Sequence, residues 1–140
     1  MYNRHAYLIM AHDNPSQLSK LIHLLDDERN DIFVHVDKNY DSFPMDVFAS
    51  ITQKSVLEVI PRKECYWAEY SLVDVELDLL TAATRKRHYR YYHLLSGHDL
   101  PLKNQDQIHD FFDNHDEEFL TLNGYGTEYH RKYTSYTHFF

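Results

Sequence analysis

The sequence predicts an α/β domain, a mostly parallel sheet with helices on both faces. Three observations carry this. Short apolar runs alternate with segments of helical period, strand then helix, along residues 6–122. The strand runs are apolar at consecutive positions, as in strands covered on both faces. The chain has 140 residues, enough for one core and too few for two.

Ala6-Tyr7-Leu8-Ile9-Met10-Ala11 is the first predicted strand, ending at His12-Asp13. Asn14-Pro15-Ser16-Gln17 opens a helix, with Asn14 as N-cap, Pro15 at the first position and Gln17 at the third. Leu18, Leu21, Ile22 and Leu25 then share one face at i, i+3, i+4, i+7 spacing. Ile32 to Val36 is the second strand, ending at Asp37-Lys38-Asn39. A short helical piece over about 46–52 leads to the third strand, Val56 to Ile60, closed by Pro61. A loop through Cys65 to Tyr70 precedes a long helix that opens near Ser71 and runs to about Arg87. Tyr91 to Leu95 is the fourth strand, and Ser96-Gly97-His98-Asp99-Leu100-Pro101 its exit loop. Asn104 caps a further helix, with Gln107 at its third position and Ile108, Phe111 and Phe112 on its apolar face. Glu118 to Leu122 is a fifth predicted strand.

Composition narrows the function classes. At 43% apolar the chain is no disordered segment. No run approaches the roughly 18 apolar residues of a membrane span. A formal charge of -8 argues against nucleic-acid binding through a basic surface. The single cysteine, Cys65, excludes an intrachain disulfide and fits a reducing compartment. The opening Met1-Tyr2-Asn3-Arg4-His5 lacks a secretory apolar region. The apolar ending, Thr137-His138-Phe139-Phe140, is read as an edge at which a larger domain continues. Tyr133, Tyr136, Phe139 and Phe140, if exposed, are expected to drive self-association.

In open parallel sheets, ligands bind beyond the carboxyl ends of the strands. Three polar groups stand there: His12-Asp13, Asp37-Lys38 and Ser96 to Asp99. A carboxylate at Asp37 can accept from a nucleobase imide or a ribose hydroxyl, or simply make a turn, and the pattern leaves both open. His12 and Asp13 carry the same ambiguity. Gly97 directly after a strand permits a left-handed or close-approach backbone, which would point Asp99 into the crevice. Glu76 falls inside the apolar arc of the long helix, where a carboxylate must be hydrogen-bonded or paired, so a structural anchor is favoured over catalysis. The histidines, 11 in all, show no zinc spacing with a matching second pair. There is no Gly-rich phosphate loop, no Gly-x-Ser-x-Gly elbow and no Asp-x-Asp.

These segments resemble the core-2/I-branching β-1,6-N-acetylglucosaminyltransferase family, which also includes the peptide O-xylosyltransferases. The resemblance begins at Ala6 to His12 and Ile32 to Lys38, and continues through Trp67-Ala68-Glu69-Tyr70-Ser71-Leu72-Val73. It is strongest over Tyr92 to Lys103. It implies the nucleotide-binding, N-terminal half of a GT-A-type fold. The implied activity is inverting transfer of a sugar, N-acetylglucosamine or xylose, from a UDP-sugar to a glycan or other hydroxyl acceptor. Neither metal nor cofactor is expected, in keeping with the missing Asp-x-Asp. By position, Ala11, His12 and Asp37 would line the uridine site. Trp67, Ala68 and Ser71, with Ser96, Gly97 and Asp99, would border the donor sugar and diphosphate.

Two departures matter. Many relatives have Trp-Gly-Gly where this chain has Trp67-Ala68-Glu69. The family's catalytic glutamate and the cations that face the diphosphate lie in its later half, so the base is expected beyond Phe140 and the isolated chain is expected to be inactive or nearly so. Lys38, Lys103, Arg131 and Lys132 are the local alternatives for positive charge. The resemblance implies a cytoplasmic protein, or one peripheral to the cytoplasmic face of a membrane, in glycan biosynthesis. The rival readings are a non-enzymatic nucleotide- or partner-binding module, an unrelated doubly wound domain such as a phosphotransfer receiver, and a His-rich metal protein.

Overall fold

The structure, a computed structural model, describes residues 4–119. Its elements are β1 (His5–Ala11), α1 (Pro15–Leu25), β2 (Asn30–Val36), a 3₁₀ helix (Met45–Ser50), β3 (Val56–Val59), α2 (Tyr70–Lys86), β4 (Tyr91–Ser96) and α3 (Gln105–Asp113). Most of the fifth predicted strand, and the tail from Tyr129 to Phe140, lie outside the described residues. Glu118 and Phe119 are in neither helix nor strand. Among the described residues no helix is long and apolar enough to cross a membrane.

The strands form one sheet in the order β3-β2-β1-β4, and every pairing is parallel. The order reverses at β1: the chain steps outward to β2 and β3, then returns to place β4 on the other side. Tyr7 at the centre pairs with Ile32 of β2 and with His93 of β4.

The two-residue period divides the core. Tyr7, Ile9 and Ala11, with Ile32, Val34 and Val36, pack under Leu18, Leu21, Ile22 and Leu25 of α1. Ala6, Leu8 and Phe33 face Val75, Leu79 and Ala83 of α2 on the opposite side. α3 joins α1: its His109 ring lies 4.2 Å from that of His5, and its Phe112 ring 4.8 Å from that of His93. Burial on both faces explains why β1 and β2 read as continuous apolar runs.

The helix starts follow local chemistry. The Asn14 side chain accepts from the Gln17 N–H at 3.2 Å, and Asn14 is left-handed, with φ 47°. The Gln17 amide does not reach back to close a capping box. It donates instead to the His98 carbonyl at 3.3 Å, tying α1 to the β4 exit loop. At α3 the box is complete between Asn104 and Gln107.

Two polar clusters lie inside the sheet. The Asp31 carboxylate, fully buried, meets Arg4 at 2.6 Å, Arg87 at 3.1 Å and the Tyr89 hydroxyl at 2.7 Å. On the other face His5 Nδ1 and His93 Nε2 share a proton at 3.0 Å, and His109 Nε2 donates to Asn30 Oδ1 at 2.8 Å. Burial holds the His5 imidazole down at about 3 and His93 at about 4, with neighbouring histidine charge adding to both.

The expectation of a buried Glu76 is corrected. Only Val75, Leu79 and Ala83 of α2 are turned fully into the sheet, while Val73 and Leu77 are exposed. The apolar arc is therefore narrower than hydropathy drew it. Glu76 sits half-buried at its margin, beside Leu80 and Tyr92, with no hydrogen bond to another described residue.

Candidate functional site

A pocket of about 250 Å³ opens beyond the carboxyl ends of β1 and β2, on the α2 side of the sheet. Met10, Ala11 and His12 form one wall, and His35 and Asp37 another. The loop residues Cys65, Tyr66 and Trp67, with Leu72 of α2, close it.

Asp37 is buried at its base. Its N–H donates to the Ala11 carbonyl at 2.7 Å, so β1 and β2 end level with each other. Oδ1 accepts from Asn39 N–H at 2.9 Å and Cys65 N–H at 3.1 Å. Oδ2 has no hydrogen bond from the described residues and remains available. The Arg62 guanidinium donates to the carbonyls of Val36, Asp37 and Tyr40, clamping the strand end that aims this carboxylate.

His35 forms the floor. Its Nε2 accepts the Lys63 N–H at 2.9 Å, which places the ring proton on Nδ1 and keeps the imidazole neutral. Burial pushes its proton affinity down in the same direction. Burial raises the Cys65 thiol, with Asp37 adding to it, so Cys65 is no thiolate nucleophile. Trp67 stands at the rim and is 87% exposed. So large an apolar surface beside a pocket is suited to stacking on a flat ring.

The Trp67 loop is shaped by Ala68, which holds φ 63°. Glycine takes that conformation without strain, and alanine at a cost of about 1–2 kcal/mol. The Tyr66 N–H donates to the Ser71 hydroxyl at 3.0 Å and closes the loop onto α2.

The β4 exit loop is locked against β1. Gly97 N–H donates to the Met10 carbonyl at 2.9 Å, and a Cβ on Gly97 would meet the Ala11 Cβ at 2.9 Å. Close approach, not a left-handed backbone, is what requires glycine here. Asp99 does not enter the pocket: its Oδ2 accepts from Ser96 N–H at 2.8 Å, and its own N–H returns to the Ser96 carbonyl at 3.0 Å. The expected crevice-facing Asp99 is therefore a turn-forming one, because the tight turn after β4 uses its carboxylate.

The profile of a family described as Core-2/I-Branching enzyme matches residues 5–138. The chain belongs to the Core-2/I-branching enzyme family. A comparison with curated proteins returned no match. The family is one of glycosyltransferases, and the parallel sheet with its strand-end pocket agrees with the α/β class expected for it.

Within this family member, the pocket gathers Ala11, His12, Asp37 and Trp67 of the residues singled out from sequence. Ala68, Ser71, Ser96, Gly97 and Asp99 shape the loops around it and do not line it. Sequence reasoning missed Met10, His35, Cys65, Tyr66 and Leu72. The signal was present for two of them: the two-residue period puts Met10 with His12 and His35 with Asp37 on one sheet face. Positive charge at the pocket is scarce. Arg62 is spent on carbonyls, and the Lys63 ammonium pairs with Asp78 at 2.5 Å. Lys38 and Lys103 are exposed, and Arg131 and Lys132 lie outside the described residues.

Proposed function

We propose that this pocket holds the nucleoside end of a UDP-sugar, and that the chain is the donor-binding part of an inverting glycosyltransferase. The observation that carries the reading is the Asp37 carboxylate: buried, aimed by the Arg62 clamp, and with one oxygen free at the base of a pocket in a glycosyltransferase family member. A free carboxylate oxygen matches the imide N–H of uracil or a ribose hydroxyl. Trp67 supplies a flat apolar rim. A volume of about 250 Å³ suits the nucleoside and leaves diphosphate and sugar outside, towards the β1 and β4 ends.

The chemistry implied is a single displacement. The acceptor hydroxyl oxygen bonds to the anomeric carbon while the bond to the β-phosphate oxygen breaks. That electron pair leaves with UDP, and a base removes the hydroxyl proton. Donor cations are needed at the departing diphosphate. The base is assigned to none of the pocket residues, so the isolated chain is proposed to bind donor but to transfer little. N-acetylglucosamine and xylose are the proposed sugars, and a glycan or other hydroxyl the acceptor.

A thermal-shift panel of UDP, UDP-N-acetylglucosamine, UDP-xylose, UDP-glucose and GDP-sugars tests this. The expected result is stabilisation by uridine ligands alone, reduced in Asp37→Asn and in Trp67→Ala. Asparagine keeps an acceptor for the Asn39 and Cys65 N–H groups, so the loop survives while the free anionic oxygen is lost. Equal shifts with GDP-sugars, or none with any uridine ligand, overturn the reading.

A further inference from the structure

His35 leaves one polar group unspent. The residue is 1% exposed and lines the pocket from below. Its Nε2 accepts the Lys63 N–H at 2.9 Å. A backbone N–H can only donate, and turning the ring over would set a C–H against it, so a single ring orientation makes this bond. The ring proton therefore stands on Nδ1. That N–H meets no acceptor among the described residues, and Nδ1 is not one of the polar atoms sealed from solvent without a partner. Buried N–H groups in folded proteins have acceptors. Here the acceptor has to come from whatever fills the pocket.

Asp37 has the opposite need. Side chains two positions apart on a strand face the same side of the sheet, so His35 and Asp37 enter the pocket together. Asp37 Oδ1 is taken by the Asn39 and Cys65 N–H groups, while Oδ2 has no hydrogen bond from the described residues. The pocket thus sets a fixed donor beside a fixed acceptor, and neither can exchange roles.

We propose that His35 is a base-reading residue: its Nδ1–H donates to a carbonyl oxygen of the pyrimidine while Asp37 Oδ2 accepts the neighbouring N3–H. The inference rests on the UDP-sugar reading of this pocket and deepens it to a choice between bases. Uracil carries N3–H with a carbonyl on each side, so either O4 or O2 completes the pair. Cytosine has a lone pair at N3, which would face the carboxylate, and an amino group at C4, which would face the imidazole N–H. It offers a matching pair only one ring position over, at its amino group and N3. Guanine carries the same N–H and carbonyl edge as uracil, so His35 selects against cytosine, and a purine must be refused by size.

The test is calorimetric titration of the full chain with UDP, CDP, 2-thio-UDP and 4-thio-UDP. Sulfur is a poor acceptor, so each thio analogue weakens one of the two candidate hydrogen bonds. UDP is expected to bind at least about tenfold tighter than CDP, and one thio analogue, not both, to bind about tenfold more weakly than UDP. His35→Gln keeps a side-chain acceptor for the Lys63 N–H and removes the Nδ1 donor. In that variant the thio penalty should fall below about threefold, a ratio that cancels any general loss of affinity. In the unmutated chain the Nδ1–H proton signal of His35 should shift on UDP addition, which keeps the test valid if the variant folds poorly. CDP binding as well as UDP or better, equal binding of UDP and both thio analogues, a thio penalty that survives His35→Gln, or an unmoved Nδ1–H signal overturns the proposal and leaves the uridine pocket standing. Failure of UDP itself to bind removes the uridine reading, and this inference with it.

Discussion

Lowering the pH from about 7.5 to about 5 should destabilise this domain through two buried histidines. His5 is held at about 3 and His93 at about 4, chiefly by burial. In the unfolded chain both titrate near 6.5. Below that value the unfolded state binds protons that the folded state refuses, so stability rises with pH across this window and is lost as pH falls. At about pH 5 each unfolded imidazole is favoured by roughly 1.5 pH units at 1.36 kcal/mol per unit, about 2 kcal/mol. The pair therefore costs about 4 kcal/mol, a large share of a stability of about 5–15 kcal/mol. His109 and His35 are shifted in the same direction and add to it. Urea unfolding followed by far-UV circular dichroism measures the difference, since Trp67 is too exposed to report on the core. His93→Leu removes one titrating group and should shrink the pH effect by about 2 kcal/mol, whatever its stability at neutral pH. Equal stability at the two pH values, or an unchanged pH effect in His93→Leu, would refute the reasoning.

Three other substitutions probe the frame of the site. Asp31→Ala leaves Arg4 and Arg87 facing a buried void and should cost about 3–5 kcal/mol in urea unfolding. Gly97→Ala forces a methyl to 2.9 Å from the Ala11 Cβ; it should cost about 1–3 kcal/mol and weaken uridine ligands in the thermal-shift panel by displacing Ala11 from the pocket wall. Ala68→Gly relieves a left-handed alanine and should raise stability by up to about 1 kcal/mol, the greater flexibility of glycine in the unfolded chain offsetting part of the relief. A loss of stability in Ala68→Gly would mean that the loop conformation is not strained.

Much of the architecture was legible because it is written in local periods. Apolar runs in 6–11 and 32–36, the second broken only by His35, meant strands covered on both faces, and both are so covered. Asn14-Pro15 and Asn104 with Gln107 announced helix starts that the structure has. The site was legible in part. Asp37 and Trp67 stand at the pocket, but Asp99 was given to the crevice and belongs to a turn, and Glu76 was given to the core and belongs to its edge. In each case a side chain's direction depends on what its neighbours leave open, which no residue spacing encodes.

By itself the sequence determined the elements, their order, and the family whose strand-end segments it carries, because periods of two and 3.6 residues and short capping motifs act over a few positions. Only the tertiary structure decided which strand ends meet. Placing β4 beside β1 rather than beside β3 brings His98 to Asp13, His93 to His5 and Gly97 to Ala11, across more than 80 residues of chain. Those contacts follow from the packing of both sheet faces at once, a global property of the fold, and they make the buried histidine pair a source of acid lability.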